Sequence, residues 1–294
     1  MKKRNAYKRE NLWLIAFALP ALILFTLFVI YPFVKGIHYS FYDWDGISPD
    51  MTFVGFSNYT KMFKNEHFLS ALWFTFKFAV VTVITQNLGA LIIANLLDNL
   101  TRFKNLLRGI FFVPNVLPGV IVAFIWSFIF TKVLPTAASQ TGLEVLGISW
   151  FGQPDTAFWS TVIVAFWLGT GYLVIIYLAG LSTVDTNVIE AAQIDGANSR
   201  QMLFRIKAPL ILSAVIIGIF LTTMNGLKQF EIVFLMTKGG PYRSTETLAL
   251  LSYNTAYIRY NFGQAAAQAI ILFVLVALVT MLQLGVMKGK EVES

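Results

Sequence analysis

The chain has 294 residues, of which 57% are hydrophobic and only 13% are charged, and its mean hydropathy is +0.68. These charged residues are too few to cover the surface of a soluble domain of this length. Lipid must therefore surround much of the protein. The lack of cysteine excludes disulfides and thiolate chemistry, and two histidines, His38 and His67, are too few for a multi-histidine metal centre. We interpret the net charge of +7 as a determinant of membrane orientation and not of nucleic-acid binding.

Six apolar stretches are each long enough to cross a bilayer, which takes roughly 20 residues. The first, Leu12–Phe33, is too long for a signal peptide and lacks a small-residue cleavage site, so we expect a retained helix. We expect Pro32 to end this helix, Pro114 and Pro118 to kink the third, and Pro209 to lie in the first turn of the fifth. The predicted spans are 12–33, 71–97, 110–130, 157–181, 209–230 and 265–287.

Lysine and arginine residues predict the orientation of these spans. Of the 22 lysine and arginine residues, 13 are predicted on the same side of the membrane as the two termini. The other nine are on the opposite side, where two long segments spread them over more residues. The positive-inside rule therefore predicts that both termini are cytoplasmic. The sequence predicts an all-α, multi-pass membrane protein with one transmembrane domain over residues 1–294.

The two long outer segments, Gly36–Ser70 and Lys238–Gln264, are rich in aromatic residues. These residues fit either an interfacial aromatic belt or a surface for a docking partner or an entering ligand. In the first segment, Asp43, Asp45 and Gly46 predict a turn between aromatic stretches.

The cytoplasmic segment between the fourth and fifth spans reads as a helix, a turn and a second helix. Asp185 or Thr186 can cap the first helix, and Gly196 can provide a left-handed stop. Asn198, with Gln201 three residues later, has the spacing of a capping box. Such an amphipathic element at a membrane surface predicts either a protein partner or a lipid interface, and its residues alone leave that choice open.

The same segment resembles the EAA loop of permease subunits of ATP-binding-cassette (ABC) importers. The resemblance rests on Glu190-Ala191-Ala192, Asp195-Gly196-Ala197, Phe204, Ile206 and Pro209 at the spacing of that family. A later stretch, Leu235–Pro241 followed by Phe262-Gly263, resembles the branch that takes up carbohydrates, which includes maltose, multiple-sugar and glycerol-phosphate permeases. Within that branch the chain is more similar to the first permease of the pair than to the second.

The resemblance implies a type I ABC importer permease fold in the cell (plasma or inner) membrane. It implies that residues 185–208 form a coupling loop, whose first helix is the coupling helix that docks in a cytoplasmic ATPase. The implied partners are a second, homologous permease, two ATPase subunits, an extracellular solute-binding protein, a sugar substrate and membrane lipid. The residues to which the resemblance assigns coupling are Glu190, Ala191, Ala192, Asp195, Gly196 and Phe204.

We predict that this chain is not an enzyme. It contains no phosphate-binding Gly-x-x-x-x-Gly-Lys-Ser/Thr loop and no Ser/His/Asp arrangement. ATP hydrolysis is therefore expected on a separate subunit, which would bind ATP and Mg²⁺, and no cofactor or metal is expected on this chain.

Polar side chains inside spanning helices are costly and usually face a cavity or another helix. Amides, hydroxyls and aromatic rings suit a neutral, polyhydroxylated ligand, whereas Lys228 and Glu231 are expected to form an ion pair. The alternative for the polar residues is hydrogen bonding between helices. The residues that, by resemblance, line the substrate pathway are Gly169, Tyr172, Thr222, Asn225, Gly226 and Gln229.

The sequence thus predicts a permease that imports a sugar or oligosaccharide by alternating access. A secondary transporter is one alternative, although it would be expected to carry paired ionisable residues deep in the membrane and often a repeat. An integral membrane enzyme of lipid or glycan metabolism is another, although it would be expected to carry clustered Asp, His or Cys. Within the family, the alternative is a glycerol-phosphate-type substrate, for which only Lys228 offers a cation.

Overall fold

The computed structural model describes Ile15 and residues 17–100 and 102–288. Its contacts divide the chain into two units, residues 1–64 with 252–271 and residues 65–251 with 272–294. The basic amino-terminal segment, the start of the predicted span 12–33 and the end of the carboxyl tail lie outside the described residues. The cytoplasmic location of both termini therefore stays a prediction.

The smaller unit begins with helix α1 (Phe17–Tyr39), followed by strands β1 (Tyr42–Asp43) and β2 (Thr52–Phe53) and helix α2 (Ser57–Phe63). The two strands pair antiparallel in a short hairpin. Asn58 fixes this hairpin to α2, because its Nδ2 atom donates hydrogen bonds of 2.9 Å to the carbonyl oxygens of Ser40 and Tyr42.

The predicted turn at the tip of this hairpin is confirmed. Gly46 has a φ of +85°, which favours glycine. The Asp45 carboxylate accepts hydrogen bonds from the Ser48 hydroxyl and from the backbone N–H groups of Ile47 and Ser48. These hydrogen bonds, of which the one from the Ser48 hydroxyl has the largest effect, hold the pKa of the Asp45 carboxyl below its ordinary value.

The expectation that Pro32 ends the first helix is wrong, because α1 continues to Tyr39. The residues before the proline, Thr26–Ile30, form a π-helical turn in which Tyr31 N–H donates to the Thr26 carbonyl. This wider turn accommodates the proline ring, which would otherwise clash with a carbonyl of the preceding turn.

The larger unit contains eight helices in full within the described residues. Two further helices, α11 (Leu248–Tyr257) and α12 (Phe262–Lys288), contribute residues to both units. The eight are α3 (Glu66–Asp98), α4 (Lys104–Val116), α5 (Gly119–Thr141), α6 (Pro154–Leu181), α7 (Thr186–Ile194), α8 (Ser199–Leu210), α9 (Leu212–Leu227) and α10 (Glu231–Met236).

Five helices among the described residues, α1, α3, α5, α6 and α12, are long and apolar enough to cross a membrane. Helices α8 and α9 meet at 84° and make a sixth span if they are counted together. The prediction of an α-helical membrane protein with about six spans is confirmed. The predicted ranges 71–97, 157–181 and 265–287 fall inside α3, α6 and α12.

The third predicted span, 110–130, is not one kinked helix. Helix α4 ends at Val116 and α5 begins at Gly119, and the spanning helix is α5, which extends to Thr141. Leu117 adopts an extended backbone (φ −76°, ψ 136°) because the residue before a proline is disfavoured in the α region. Pro118 therefore breaks the helix, and Pro114 lies within α4.

The fifth predicted span, 209–230, is also wrong in its limits. Ile211 leaves the helical conformation (φ −102°, ψ 26°), so Pro209 belongs to α8 and not to the first turn of α9. At the other end α9 stops at Leu227, and residues 228–230 form an irregular link to α10. Irregular backbone at membrane depth is tolerated where it lines a cavity, which is the position of this link.

Helix α3 is at the centre of the larger unit and packs against α6 and α9, while α4 packs against α6. One core of this unit joins α3, α6, α8 and the bend from α8 to α9. Its buried members are Ala90, Leu91, Ala94, Leu97, Leu173, Val174, Tyr177, Leu178, Leu181, Leu203 and Ile211.

Candidate functional site

A cavity of about 360 Å³ lies within the larger unit, between α3, α4, α6 and the link from α9 to α10. All six residues predicted to line the pathway lie on its wall, although their contact with a substrate stays a prediction. The wall is formed by Phe78, Thr82, Gln86, Asn115, Ala165, Leu168, Gly169, Tyr172, Thr222, Asn225, Gly226, Lys228, Gln229, Phe230, Glu231 and Ile232.

The contribution of α3 to the cavity was not predicted. Phe78, Thr82 and Gln86 follow one another at intervals of four residues, so they share one helix face. That spacing was a usable signal, since it places a hydroxyl and an amide on the same stripe of an otherwise apolar helix. Asn115, near the end of α4, also lines the wall.

Two glycines of the wall allow close contact between helices. A β-carbon on Gly169 would lie 2.6 Å from Gln86 Oε1, so the Gln86 amide rests against the backbone of α6. The same amide donates from Nε2 to the Ala165 carbonyl at 2.8 Å. A β-carbon on Gly226 would lie 2.8 Å from Ala79 Cα, so α9 and α3 touch at their backbones.

Thr222 belongs to a polar network that joins α3, α6 and α9. Asn87 Nδ2 donates to Thr222 Oγ1 at 2.9 Å, and the Thr222 hydroxyl donates to the Gly218 carbonyl at 2.8 Å. The buried Tyr177 hydroxyl donates to Asn87 Oδ1. The hydroxyl of Thr222 therefore forms hydrogen bonds between helices, which was the alternative interpretation of the polar residues in the spanning helices.

Among the described residues, several other polar groups of the wall are either buried without a hydrogen bond of standard geometry or exposed. Gln229 Nε2 and the Tyr172 hydroxyl are buried atoms without a hydrogen bond of standard geometry among the described residues. Asn225, Lys228 and Glu231 expose their side chains. The expected ion pair between Lys228 and Glu231 is not formed within the described part of the chain, because the Glu231 carboxylate lies against Gly119 at the start of α5. The positive end of the α5 dipole favours a carboxylate there.

The second candidate site is the loop from α7 to α8, and its local structure agrees with the sequence prediction. Asp185 caps α7 by accepting a hydrogen bond from the N–H of Asn187 at 2.9 Å. Gly196 has a φ of +81°, and Asn198 and Gln201 form a reciprocal capping box at the start of α8. The caps fix both ends of a short, stiff turn.

This loop presents an exposed surface that mixes charge and apolar groups. Ile194 is 86% exposed and Phe204 is 43% exposed, and the Glu190 side chain is also exposed. Two shallow grooves mark the loop. One is lined by Asn187, Val188, Ala191, Ala192, Asp195 and Ile206, and the other by Asn198, Arg200, Gln201, Phe204 and Arg205. Among the described residues, no group of three or more His, Cys, Asp or Glu is placed to hold a metal ion.

Comparison with known proteins gives consistent results for family and fold. Residues 86–288 match the family described as binding-protein-dependent transport system inner membrane component. The chain is 34% identical, over the full length of both proteins, to the probable starch degradation products transport system permease protein AmyD of Thermoanaerobacterium thermosulfurigenes. It is 33% identical to the multiple sugar-binding transport system permease protein MsmF of Streptococcus mutans, covering 95% of this chain and 97% of that protein.

Among solved structures, the chain matches a subunit of a bacterial ABC transporter involved in the import of the acidic polysaccharide alginate. The TM-score is 0.85 at 21% identity, with 98% of this chain and 99% of the other covered. The match confirms the predicted type I importer permease fold. The family description confirms the predicted inner-membrane location and a transport role without catalysis, and in general terms the need for partner proteins. The chain belongs to the family of binding-protein-dependent transport system inner membrane components, the permease subunits of ABC importers.

Proposed function

We propose that this chain is one of two permeases of an importer that moves a neutral sugar or oligosaccharide into the cytoplasm by alternating access. We further propose that its α7–α8 loop, through Glu190-Ala191-Ala192, couples the movement to a separate ATPase. The observation that carries the proposal is the cavity, whose wall combines amide, hydroxyl and aromatic side chains.

The chemistry of the wall favours a neutral, hydroxyl-rich ligand. Gln229 Nε2 and the Tyr172 hydroxyl are donors without a standard hydrogen bond among the described residues, and sugar oxygens would satisfy them. Phe230 and Tyr172, which are partly exposed, offer aromatic rings for the apolar faces of a sugar. Among the described residues that form the wall, Lys228 is the one cation and Glu231 the one anion. This part of the chain therefore does not offer the converging cations that a phosphorylated ligand requires.

The names of the relatives point to the same class of substrate. One relative is named for starch degradation products and another for multiple sugars. A glycerol-phosphate-type substrate, the alternative within the family, receives no support from these names or from the cavity wall.

The coupling role is supported by the shape and exposure of the loop. Large apolar side chains such as Ile194 and Phe204 are costly in water, so they favour a surface that a protein partner covers. The capped ends of α7 and α8 make the loop stiff enough to transmit a rigid-body movement. In this proposal two ATPase subunits supply ATP hydrolysis with Mg²⁺, a solute-binding protein delivers the sugar and a second permease completes the pathway.

Uptake by the reconstituted complex tests the proposed substrate class. The complex is purified through this chain, placed in proteoliposomes with its binding protein and supplied with labelled maltotriose and ATP. We expect ATP-dependent uptake that neutral oligosaccharides inhibit and glycerol 3-phosphate does not. Gln229→Leu removes one donor of the cavity, so it should raise the half-saturating sugar concentration about fivefold, the equivalent of about 1 kcal/mol.

The matched control is Gln140→Leu, which changes an exposed glutamine outside the cavity and should leave uptake unchanged. Uptake of glycerol 3-phosphate in place of neutral sugars would contradict the proposed substrate class. Equal effects of Gln229→Leu and Gln140→Leu on the half-saturating sugar concentration would contradict the assignment of the cavity as the sugar site.

A further inference from the structure

Lys207 is a buried lysine that neither the cavity nor the EAA motif uses. It ends a π-helical segment, Met202–Lys207, inside α8, and its side chain is only 4% exposed. Its Nζ atom lies 3.1 Å from Asn95 Oδ1 and 3.3 Å from Asp98 Oδ2, and both acceptors belong to the last turn of α3. A buried ammonium group is tolerated only when it is paired in this way, so the contact is specific.

The backbone of Lys207 belongs to the last turn of α8, directly before the next helix. Its carbonyl oxygen accepts a hydrogen bond of 3.1 Å from the N–H of Ile211, the residue at which α8 ends and turns by 84° into α9. The side chain of Lys207 thus bonds to α3 one turn before the bend between α8 and α9. Through Lys207, α3 is joined to α8 next to this bend.

Apolar contacts on the same side stiffen this junction. Leu203 and Ile211, which flank Lys207 in the chain, are buried in the core that also contains Leu97 of α3 and Leu181 of α6. An ion pair at the edge of a close-packed core has little freedom to rearrange, since protein interiors are packed as densely as organic crystals. The junction is therefore expected to move as a unit.

We propose that Lys207 is a positioning residue that makes α3 move as one body with α8 and α9 during the transport cycle. Movement of the coupling loop would then reach the cavity by two routes, through α9 and through α3, whose residues Phe78, Thr82 and Gln86 line the wall. This inference rests on the coupling role proposed above. The inference names the physical contact, between Lys207 of α8 and Asp98 of α3, that would carry the coupling. A claim of coupling between distant sites requires such a contact.

The test compares Lys207→Met with Lys104→Met. Lys104 is the second partner of Asp98, at 3.1 Å, and it is 34% exposed. Each substitution removes one lysine and leaves Asp98 paired with the other, so neither creates an isolated buried carboxylate. ATP hydrolysis and maltotriose uptake are measured together in proteoliposomes that contain the complete complex.

For Lys207→Met we expect retention of the ATPase subunits and ATP hydrolysis within about twofold of wild type, with the sugar moved per ATP lowered about tenfold. Lys104→Met should keep the wild-type ratio, and Lys207→Arg should recover most of it because the charge is restored. A wild-type ratio of sugar to ATP in Lys207→Met overturns the proposal. The proposal is also overturned if Lys207→Met lowers only the amount of assembled complex and that complex keeps the wild-type ratio of sugar to ATP. Lys207 would then act in folding alone.

A second experiment covers the case in which Lys207→Met does not assemble. The chain has no cysteine, so Asp98→Cys with Lys207→Cys introduces its only two thiols. These are joined by a short bis-methanethiosulfonate reagent in complexes whose other subunits are cysteine-free. Because the uncross-linked variant lacks the contact between Lys207 and Asp98, cross-linked complexes should transport more sugar per ATP than uncross-linked ones. Loss of transport on cross-linking, with hydrolysis maintained, would show that α3 and α8 must separate and would overturn the proposal.

The outcomes also separate this inference from the proposed function. A wild-type complex that does not take up maltotriose, or that contains no ATPase, contradicts the proposed function. A wild-type complex that transports, with Lys207→Met indistinguishable from it, contradicts only the role of Lys207.

Discussion

Gly226 allows α9 to approach α3 so closely that its backbone touches the backbone of Ala79. Gly226→Ala would place a methyl group 2.8 Å from Ala79 Cα, and a main-chain atom cannot move aside as a flexible side chain can. We expect a loss of about 1–3 kcal/mol in the free energy of unfolding, the usual cost of overpacking. The measurement is the apparent melting temperature of the purified complex in detergent.

The matched control is Gly109→Ala in α4, where an added β-carbon meets nothing within 4 Å. Alanine is favoured over glycine inside a helix by about 0.5–1 kcal/mol, so this variant should be at least as stable as wild type. Equal stability of the two variants would mean that α9 and α3 do not touch at Gly226.

Tyr172 and Thr222 both carry hydroxyls on the cavity wall, and they should respond differently to loss of the hydroxyl. Tyr172→Phe removes a hydroxyl that lies near Asn225 but forms no hydrogen bond of standard geometry among the described residues. It should therefore raise the half-saturating sugar concentration about fivefold without lowering stability. Thr222→Val leaves the Asn87 amide with one bond fewer, so it should destabilise the protein by about 1–3 kcal/mol. Uptake kinetics and melting curves of both variants check the pair, and the reverse pattern would contradict the two assignments.

These two hydroxyls also show how far the sequence predicts the site. Thr222, Asn225, Gly226 and Gln229 lie three or four residues apart, the spacing of one helix face. All four line the cavity, although Gln229 does so from the link after α9 and not from the helix. It could not show that the Thr222 hydroxyl bonds to a residue 135 positions away, because that contact depends on how α3 packs. Local spacing predicts which residues share a face, and long-range packing decides what each one touches.

The loop from α7 to α8 is the element whose structure the sequence predicts best. The Asp185 cap, the left-handed Gly196 and the Asn198–Gln201 capping box each involve residues at most three positions apart. The limits of α9 were not predictable in that way. The bend at Ile211 forms where Lys207 and Ile211 are held by α3 and the core, and the link after Leu227 forms where polar side chains reach the cavity.

At the scale of this element, Glu190→Ala tests the coupling role. Glu190 is exposed, so its loss should leave folding unchanged, while binding of the ATPase falls at least about fivefold if the carboxylate is an important contact. Sugar uptake should fall with it. Co-purification of the ATPase with the variant chain and uptake by the reconstituted complex measure the two effects.

Glu144→Ala is the control, because it removes another exposed glutamate from the short turn Glu144–Leu146, far along the chain from the loop. It should keep the ATPase and the uptake of the wild type. Normal uptake by the Glu190→Ala complex would count against the coupling role of this loop.

For the whole molecule, we propose that this chain contributes one wall of a pathway and one docking surface for an ATPase. Its cavity of about 360 Å³ is within the size range of ligand sites, although the exposed Asn225, Lys228 and Glu231 leave part of the wall open. A second permease, facing the open side, would complete the enclosure. The most direct prediction of the proposed function therefore concerns which proteins form the native assembly.

The measurement that tests this central claim is a pull-down of the chain from detergent-solubilised native membranes, followed by mass spectrometry of the proteins recovered with it. We expect one permease of similar size and one type of ATPase subunit, in amounts that match two permeases and two ATPases for each assembly. A chain that is recovered alone or only as a homo-oligomer, in a detergent that preserves such assemblies, would contradict the proposal of an ATP-driven importer with two permeases.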